Sequence, residues 1–325
     1  MSAERSVLVL GGTRFIGRHI VMSLLDGGYR VSVFTRGQSP DDLPAEVERL
    51  HGNRDAGPSG LAAISGTWDA CIDVSGYSPT HVRPSAELLR DRVGRYVFVS
   101  TVSVYALPAE CPVRETNPLL PAADEATTSV TAETYGPLKV ACERIVSDTY
   151  GRSATILRPQ IVAGPWDPTG RFTYWVQRTS EPGEMIGPGA GDEAVQIVDA
   201  RDIAAFARRV IERDIAGVFN MAGQRITWRA FIDALGARRV TWVPADVLFS
   251  AGLTSAELPM YVPKGSAYEG VMDVSHERAT AAGFVVSDIA CTIADTAAWL
   301  RQHVVAPALT PERERDILAQ YHATR

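Results

Sequence analysis

The sequence has little cysteine and no excess of positive charge. Its 325 residues include four cysteines, Cys71, Cys111, Cys142 and Cys291, which lie far apart and match no metal-binding spacing. We therefore expect reduced thiols in a cytoplasmic protein rather than a disulfide scaffold. Lysine and arginine number 32 against 38 aspartate and glutamate residues, a net charge of -6. Without a basic excess to neutralise phosphates, nucleic acid is not an expected partner.

Long apolar runs are absent as well. The opening MSAERSVLVL has an apolar stretch too short for a signal peptide, and no later run reaches the length of about 18 residues typical of a membrane span. The six histidines show no paired spacing, so no metal site is expected. A chain of this length can bury the core of one large α/β unit or of two lobes.

The first half of the chain alternates short apolar runs with helical patterns. Runs that are nearly continuous in apolar residues predict buried strands at residues 6–11, 30–36, 68–74, 95–101 and 153–159. Helical patterns lie between them at Ile16–Asp26, Pro79–Val93 and Glu133–Tyr150. This alternation predicts an α/β fold with a parallel sheet and right-handed crossovers.

The second half is less regular. It predicts a helix that begins near Asp199, with Asp199 or Asp202 favouring its amino end. It also predicts a helix capped by Thr227 and a terminal helix with Thr310 as its cap and Pro311 at its first position. We place the boundary between two lobes near residue 165, so that residues 1–165 form the first lobe and residues 166–325 mainly form the second. Residues from about 195 to 213 are expected to return to the first lobe.

A glycine turn, GGTRFIG, follows the first predicted strand. Gly11 allows a sharp turn and Gly17 allows the next helix to approach the sheet, which presents the helix amino end to a pyrophosphate. Arg14 occupies the place of the expected middle glycine, and Arg36 ends the next strand where selection of NAD usually requires an acid. Two guanidinium groups suit a 2'-phosphate and so predict NADP(H). The alternative is that both arginines are solvated loop residues.

The segment TYGPLKVACE carries a possible proton-transfer pair. Tyr135 and Lys139 are four residues apart on a predicted helix and therefore share one face. A neighbouring ammonium lowers the pKa of a tyrosine, which is otherwise near 10. The preceding strand ends in hydroxyls, so Ser100 or Thr101 can donate a hydrogen bond to a substrate oxygen. Asp55, in GNRDAG, can accept a hydrogen bond from the adenine amine.

The motifs GGTRFIG, FVSTVSVYA, YGPLKVACE, ILRPQIVAGP and VDARDIA occur in this order. Together they resemble the extended short-chain dehydrogenase/reductase superfamily, in its NAD(P)-dependent epimerase/dehydratase-like branch. The glycine turn is most similar to an atypical subgroup of it. The resemblance covers about residues 6–220. It implies a Rossmann-type doubly wound parallel sheet with a smaller C-terminal α/β lobe that binds the substrate.

The resemblance also implies particular site residues. The catalytic hydroxyl falls on Thr101, Tyr135 transfers the proton, and Lys139 binds the cofactor ribose and lowers the pKa of the tyrosine. Val102 and Ser103 stand where sugar-nucleotide 4,6-dehydratases have an Asp-Glu pair, which argues against dehydration. The residues expected to contact the cofactor are Gly11, Gly12, Thr13, Arg14, Phe15, Ile16, Gly17, Arg36, Asp55, Ser75 and Lys139.

Aromatic side chains and an arginine follow the last predicted strand of the first lobe, in GPWDPTGRFTYW. Such a cluster can line a pocket for a ring-bearing or polyketide-like small molecule. The candidate substrate residues are Gln160, Trp166, Arg171 and Tyr174. Phe172 and Trp175, three apart on a helix, fit the core of the second lobe equally well. Tyr77, like Ser75, is expected to neighbour the cofactor.

Three functions compete at this point. The arginine pair favours an NADPH-dependent reductase that transfers hydride to a carbonyl or related group, because cellular NADPH mostly serves net reduction. An NAD(P)-dependent epimerase acting on a sugar nucleotide is the alternative. A cofactor-binding sensor or RNA-associated protein is the third, and the set Thr101, Tyr135 and Lys139 argues against it. Relatives of this kind often pair two helices across a two-fold axis, so a homodimer is also expected.

Overall fold

The structure, a computed structural model, describes residues 5–39 and 41–324. The strands are β1 (Ser6–Leu10), β2 (Arg30–Thr35), β3 (Glu48–His51), β4 (Trp68–Asp73), β5 (Val93–Val99), β6 (Ala154–Pro159), β7 (Val162–Ala163), β8 (Met185–Pro188), β9 (Ala194–Gln196), β10 (Val198–Asp199), β11 (Gly217–Met221), β12 (Arg225–Thr227) and β13 (Val240–Val243). The helices are α1 (Phe15–Asp26), α2 (Pro79–Leu89), α3 (Ala132–Tyr150), α4 (Arg171–Ser180), α5 (Ala200–Glu212), α6 (Trp228–Ala234), α7 (Ala245–Ser250), α8 (Glu277–Ala281), α9 (Ile289–Leu300) and α10 (Pro311–Ala323). Short 3-10 helices cover Arg54–Leu61, Val102–Val104, Gly151–Ser153 and Glu269–Met272.

The chain forms two compact units. The first comprises the described residues of Met1–Gln160, Ala200–Met221 and Ser275–Val285. The second comprises those of Ile161–Asp199, Ala222–Val274 and Val286–Arg325. The segment Ser275–Val285 is part of the first unit although the sequence pattern around it does not predict this.

A parallel sheet of seven strands forms the centre of the first unit, in the order β11-β6-β5-β4-β1-β2-β3. All neighbours in it run parallel, with Val7 paired to Val31 on one side and to Ala70 on the other. The chain moves outward from β1 in both directions, so crossovers of the usual right hand place helices on both faces. On these faces α1 packs against α5, and α2 packs against α3. The predicted Rossmann-type doubly wound sheet is confirmed.

The order of the strands decides where a ligand can bind. Because β1 lies between β2 and β4, the strand order reverses at β1, and the loops after β1 and β4 diverge to leave a crevice at their carboxyl ends. The strands that form this crevice are apolar on both faces: every residue of β1 is buried, including Val7, Leu8, Val9 and Leu10 at 0% exposure. Burial on both faces explains why the sequence runs are continuous rather than alternating.

The second unit has a core of its own. It is built around aromatic side chains of α4 and α6, with Trp175 packed edge-on against Trp228 at 4.9 Å between ring centroids. Small two-stranded pairs surround this core: β7 with β10, β8 with β13 and β9 with β12. Phe172 and Trp175 are buried in it, as the core alternative expected.

Most local signals in the sequence correspond to the observed elements. Thr227 and Thr310 cap α6 and α10, accepting hydrogen bonds from the backbone N–H groups of Ala230 and Arg313. One helix prediction was too long: α2 ends at Leu89, because the chain turns and residues from Val93 onward pair with β4. No helix among the described residues is both long and apolar enough to cross a membrane.

Candidate active site

The glycine turn lies at the carboxyl end of β1, in the crevice of the sheet. Gly11 and Gly12 have φ angles of 104° and 101°, which side-chain-bearing residues rarely adopt. A Cβ atom at Gly17 would lie 2.7 Å from the backbone nitrogen of Gly12, so α1 can approach the turn only because glycine stands there. The amino end of α1 therefore lies directly against the glycine turn, an arrangement that suits the binding of a pyrophosphate.

The arginine in the turn needs no glycine-like backbone. Arg14 has φ -134° and ψ 147°, an extended conformation that any residue adopts, and the left-handed angle falls instead on Phe15, at φ 38°. The Nη2 of Arg14 donates a hydrogen bond of 2.9 Å to the Oγ of Ser39. Arg36 is exposed in the same loop after β2. The structure thus brings Arg14 to the loop that carries Arg36, and adds Ser39, which sequence reasoning missed.

Two other residues that are predicted to contact the cofactor, Ser75 and Asp55, form hydrogen bonds within the protein near the end of the sheet. The Oγ of Ser75 donates to the carbonyl of Leu10 at 3.1 Å, which ties the loop after β4 to the end of β1. The Oδ1 of Asp55 lies 2.6 Å from the Nε2 of His81 on α2. Asp55 is exposed, and its role toward an adenine amine stays a prediction.

The hydroxyl that the resemblance selects lies directly after β5. The Oγ1 of Thr101 accepts the backbone N–H of Ser103 at 3.1 Å and donates to the Oγ of Ser103 at 3.1 Å. The carbonyl of Ser103 lies against Gly136 on α3, where a Cβ atom would overlap it. Because Gly136 follows Tyr135 directly, this glycine lets the Thr101–Ser103 turn approach the start of α3.

Tyr135 and Lys139 are positioned by α3. The helix begins with a reciprocal cap: the Oγ1 of Thr134 accepts the N–H of Thr131 at 2.8 Å, and the Oγ1 of Thr131 accepts the N–H of Thr134 at 3.3 Å. Tyr135 is half-buried in the first turn, and Lys139, four residues later on the same face, is 2% exposed.

The amine of Lys139 is held by backbone carbonyls. Its Nζ donates to the oxygens of Gly76 at 2.8 Å and Val99 at 2.7 Å, and lies 4.0 Å from the ring centroid of Phe98. These carbonyls use two of the three donors of an ammonium. Burial lowers the pKa of Lys139 from 10.5 to about 8, and the negative charge of Asp73 opposes that shift. The lysine can therefore exchange between its charged and neutral forms near neutral pH.

A buried ion pair, which sequence reasoning missed, lies beside this lysine. Arg54 forms two hydrogen bonds with Asp73, Nη1 to Oδ1 at 2.8 Å and Nη2 to Oδ2 at 2.7 Å. Although burial disfavours the carboxylate, the charge of Arg54 holds the pKa of Asp73 below its usual range. The acid Asp73 at the buried end of the strand WDACID is the signal that could have indicated it.

The candidate substrate residues divide between the two units. In the first unit, Gln160 is buried after β6, and its backbone N–H donates to Met221 at 2.9 Å. In the second, the Nε of Arg171 donates to Thr169 at 3.1 Å. Tyr174 is 3% exposed and packs edge-on against Trp175 in the core. Trp166 has φ 63°, and its ring centroid lies 6.3 Å from that of Trp299.

Among the described residues, no group of three His, Cys, Asp or Glu side chains is arranged to hold a metal ion. The residues at the carboxyl ends of β1, β2 and β4 do fit a dinucleotide. They combine a close-approach glycine turn, a helix amino end and two arginines at the loop after β2.

A model of the NAD dependent epimerase/dehydratase family matches residues 7–73 and 80–222, more than half of the chain. The chain belongs to this family. The family match runs from β1 to the end of β11 and includes Thr101, Tyr135 and Lys139. It covers the first unit more completely than the second.

The curated proteins that are similar to this chain have different functional names. A chloroplast stem-loop binding protein of 41 kDa from Arabidopsis thaliana is 26% identical over 69% of this chain and 60% of its own length. A UDP-glucose 4-epimerase from Azospirillum brasilense is 28% identical over 52% of each chain. The chain thus spans about half to three fifths of the length of these two relatives. Among solved structures, the Bordetella bronchiseptica enzyme WbmH in complex with NAD+ shares the fold, with 18% identity, a TM-score of 0.66 and coverage of 93% of this chain and 100% of its own.

Proposed function

We propose that the protein is an NADP(H)-dependent oxidoreductase that acts on an alcohol or carbonyl carbon of a small molecule. The observation that carries the proposal is the pair of a half-buried Tyr135 and a buried Lys139 on one face of α3, with a pKa of about 8 for the lysine. A buried amine that titrates near neutral pH can adjust the ionisation of a phenol one turn away.

Each residue of the site has a definite role in this proposal. Tyr135 donates a proton to the substrate oxygen or removes it, and Thr101 donates a hydrogen bond to that oxygen. Lys139 in its charged form favours the phenolate of Tyr135, and its third N–H would donate to the cofactor ribose. The glycine turn at Gly11–Gly17 binds the pyrophosphate. When bound, the nicotinamide ring supplies or accepts the hydride.

Net reduction is the direction that we propose first. Arg14, joined to Ser39, and the exposed Arg36 place positive charge at the end of β2, which suits a ribose 2'-phosphate. A carbonyl compound, reduced at the expense of NADPH, is the corresponding substrate class.

Epimerisation of a sugar nucleotide is the second candidate. It is favoured by the family match and by the identity with the Azospirillum brasilense UDP-glucose 4-epimerase. In that reaction the same tyrosine would remove the proton of a substrate hydroxyl while the carbon gives up a hydride. It would return the proton when the hydride is added back to the opposite face of that carbon, so no cofactor is consumed.

The experiment that separates these functions measures absorbance at 340 nm. We expect tighter binding of NADPH than of NADH in a fluorescence titration, and stoichiometric loss of NADPH absorbance with a carbonyl substrate. Conversion of a UDP-sugar without net change at 340 nm establishes the epimerase instead. Turnover that is unaffected in Tyr135→Phe contradicts both.

The stem-loop binding name of the Arabidopsis relative raises an RNA-associated function as well. A net charge of -6 weighs against it, because non-specific RNA affinity depends on neutralising phosphates. A gel-shift titration with a structured RNA at low salt tests this, and tight binding together with no oxidoreductase or epimerase turnover would favour the RNA function.

A further inference from the structure

We propose that the buried pair of Arg54 and Asp73 positions Lys139, by holding the turn whose Gly76 carbonyl binds the lysine amine. The inference rests on the proposed function, because Lys139 and Tyr135 act as a unit in it. Arg54 and Asp73 are positioning residues: neither touches the reacting atoms.

The guanidinium of Arg54 and the carboxylate of Asp73 both have further hydrogen-bond partners around them. Besides Asp73, the guanidinium of Arg54 donates to Ser75 Oγ at 3.2 Å and to the carbonyl of His81 at 3.0 Å and 3.3 Å. All five donor directions of the arginine therefore have an acceptor. The carboxylate of Asp73 additionally accepts the hydroxyl of Tyr96 at 2.9 Å and the backbone N–H of Ser75 at 3.1 Å. The arginine thus joins the segment after β3, the turn after β4 and the first turn of α2.

The link from this pair to the lysine runs through a glycine. A Cβ atom at Gly76 would lie 2.9 Å from Oδ2 of Asp73 and 2.8 Å from the ring of Phe98, so the turn packs directly against the carboxylate. The carbonyl of the same glycine accepts the amine of Lys139 at 2.8 Å. A displacement of Asp73 therefore moves the acceptor that holds the lysine.

The charges of Arg54 and Asp73 also affect the ionisation of Lys139. Asp73 is 0% exposed and Arg54 is 8% exposed, so their charges act through protein rather than through water. The carboxylate favours the ammonium form of Lys139 and the guanidinium opposes it. If the turn loosens, the buried ammonium loses an acceptor and deprotonates more easily. The phenol of Tyr135 then loses the neighbouring positive charge that favours its ionisation.

The test follows the ionisation of Tyr135 without any substrate. Phenolate absorbance at 295 nm is titrated in each variant with and without Tyr135→Phe, and the difference belongs to Tyr135. The main variant is Arg54→Met with Asp73→Asn, which removes both charges and so avoids leaving one unpaired in the interior. We expect the midpoint for Tyr135 to rise by about one pH unit, a tenfold change in its ionisation constant.

A milder variant and a matched control complete the design. Arg54→Lys keeps the charge but not the two-pronged geometry, and we expect a smaller shift in the same direction. The control is Arg178→Met with Glu314→Gln, which removes a comparably buried pair of the second unit and should leave the titration of Tyr135 unchanged.

If the two Arg54 variants titrate like the native protein while the midpoint of Tyr135 in the native protein is low, the inference is overturned and the proposed function stands. A native midpoint near that of free tyrosine overturns both. An equal shift in the control would mean a general effect of instability, and would overturn the positioning role.

Discussion

The buried amine of Lys139 makes a prediction about protein stability that requires no substrate. We consider the substitution Lys139→Met, which keeps the unbranched length of the side chain beside the ring of Phe98 and removes the titrating charge. Since the native pKa of Lys139 lies below that of the unfolded chain, the unfolded state binds more protons between these two values. Stability of the native protein relative to the variant therefore rises with pH.

The magnitude follows from the size of the shift. A decrease from 10.5 to about 8 corresponds to about 3.5 kcal/mol, since one pKa unit equals about 1.4 kcal/mol. This penalty is complete below about pH 8 and disappears as the pH rises through the unfolded value. Between pH 7 and pH 10 the native protein should gain about 2.5 kcal/mol in free energy of unfolding relative to Lys139→Met.

Urea unfolding of both proteins at pH 7, 8, 9 and 10 measures this gain. Taking the difference between native protein and variant cancels the titration of groups that Lys139 does not influence, and measuring both proteins with Tyr135→Phe added removes the contribution of that phenol. Lys264→Met is the matched control, because Lys264 is exposed and its hydrogen bond to Asp192 raises its pKa. The difference in free energy of unfolding between the native protein and Lys264→Met should therefore stay constant from pH 7 to pH 9. If the difference in free energy of unfolding between the native protein and Lys139→Met stays constant from pH 7 to pH 10, the conclusion that burial lowers the pKa of Lys139 is refuted.

Three other substitutions test the site. Tyr135→Phe should lower turnover by about 10²- to 10⁴-fold while NADPH still binds, as steady-state rates and a fluorescence titration would reveal. Arg36→Ala should weaken NADPH about tenfold or more and leave NADH nearly unaffected, because a charge-assisted contact to the 2'-phosphate is lost. Arg30→Ala, at the opposite end of β2, is its control, and equal weakening of both cofactors would argue against 2'-phosphate recognition. Gly136→Ala should destabilise the protein by about 1–3 kcal/mol by overpacking against Ser103, although alanine is the better helix former. Ser147→Ala, on the exposed side of the same helix, should be neutral in chemical denaturation, and an equally neutral Gly136→Ala would refute the close approach.

The local elements of this protein could be predicted from the sequence because their causes are local. Continuous apolar runs correspond to β1, β2 and β6, and the caps Thr227 and Thr310 lie a few residues from the N–H groups they accept from. The end of α2 was misjudged, since the pairing of Val93 with Trp68 on β4 decides it and that partner is distant in the chain.

The site shows the same division. Tyr135 and Lys139 were selected by their spacing on a helix and Thr101 by the family resemblance, and their catalytic roles stay predictions. The fit of Arg14 into the turn could not be derived from spacing, because it depends on a backbone angle and on a partner in the next loop.

By itself, the sequence determined the order of strands and helices, the glycine turn and the pair of residues on one face of α3, because hydrophobic periodicity and backbone preference act over a few neighbours. Only the tertiary structure decided that Arg54 meets Asp73, that Gly76 holds Lys139, and that Gly136 admits the Ser103 carbonyl. Arg54 and Asp73 are 19 residues apart in the chain, and Gly76 and Lys139 are 63 residues apart. Their partners are selected by the register of the sheet and by the space that remains when the core is packed.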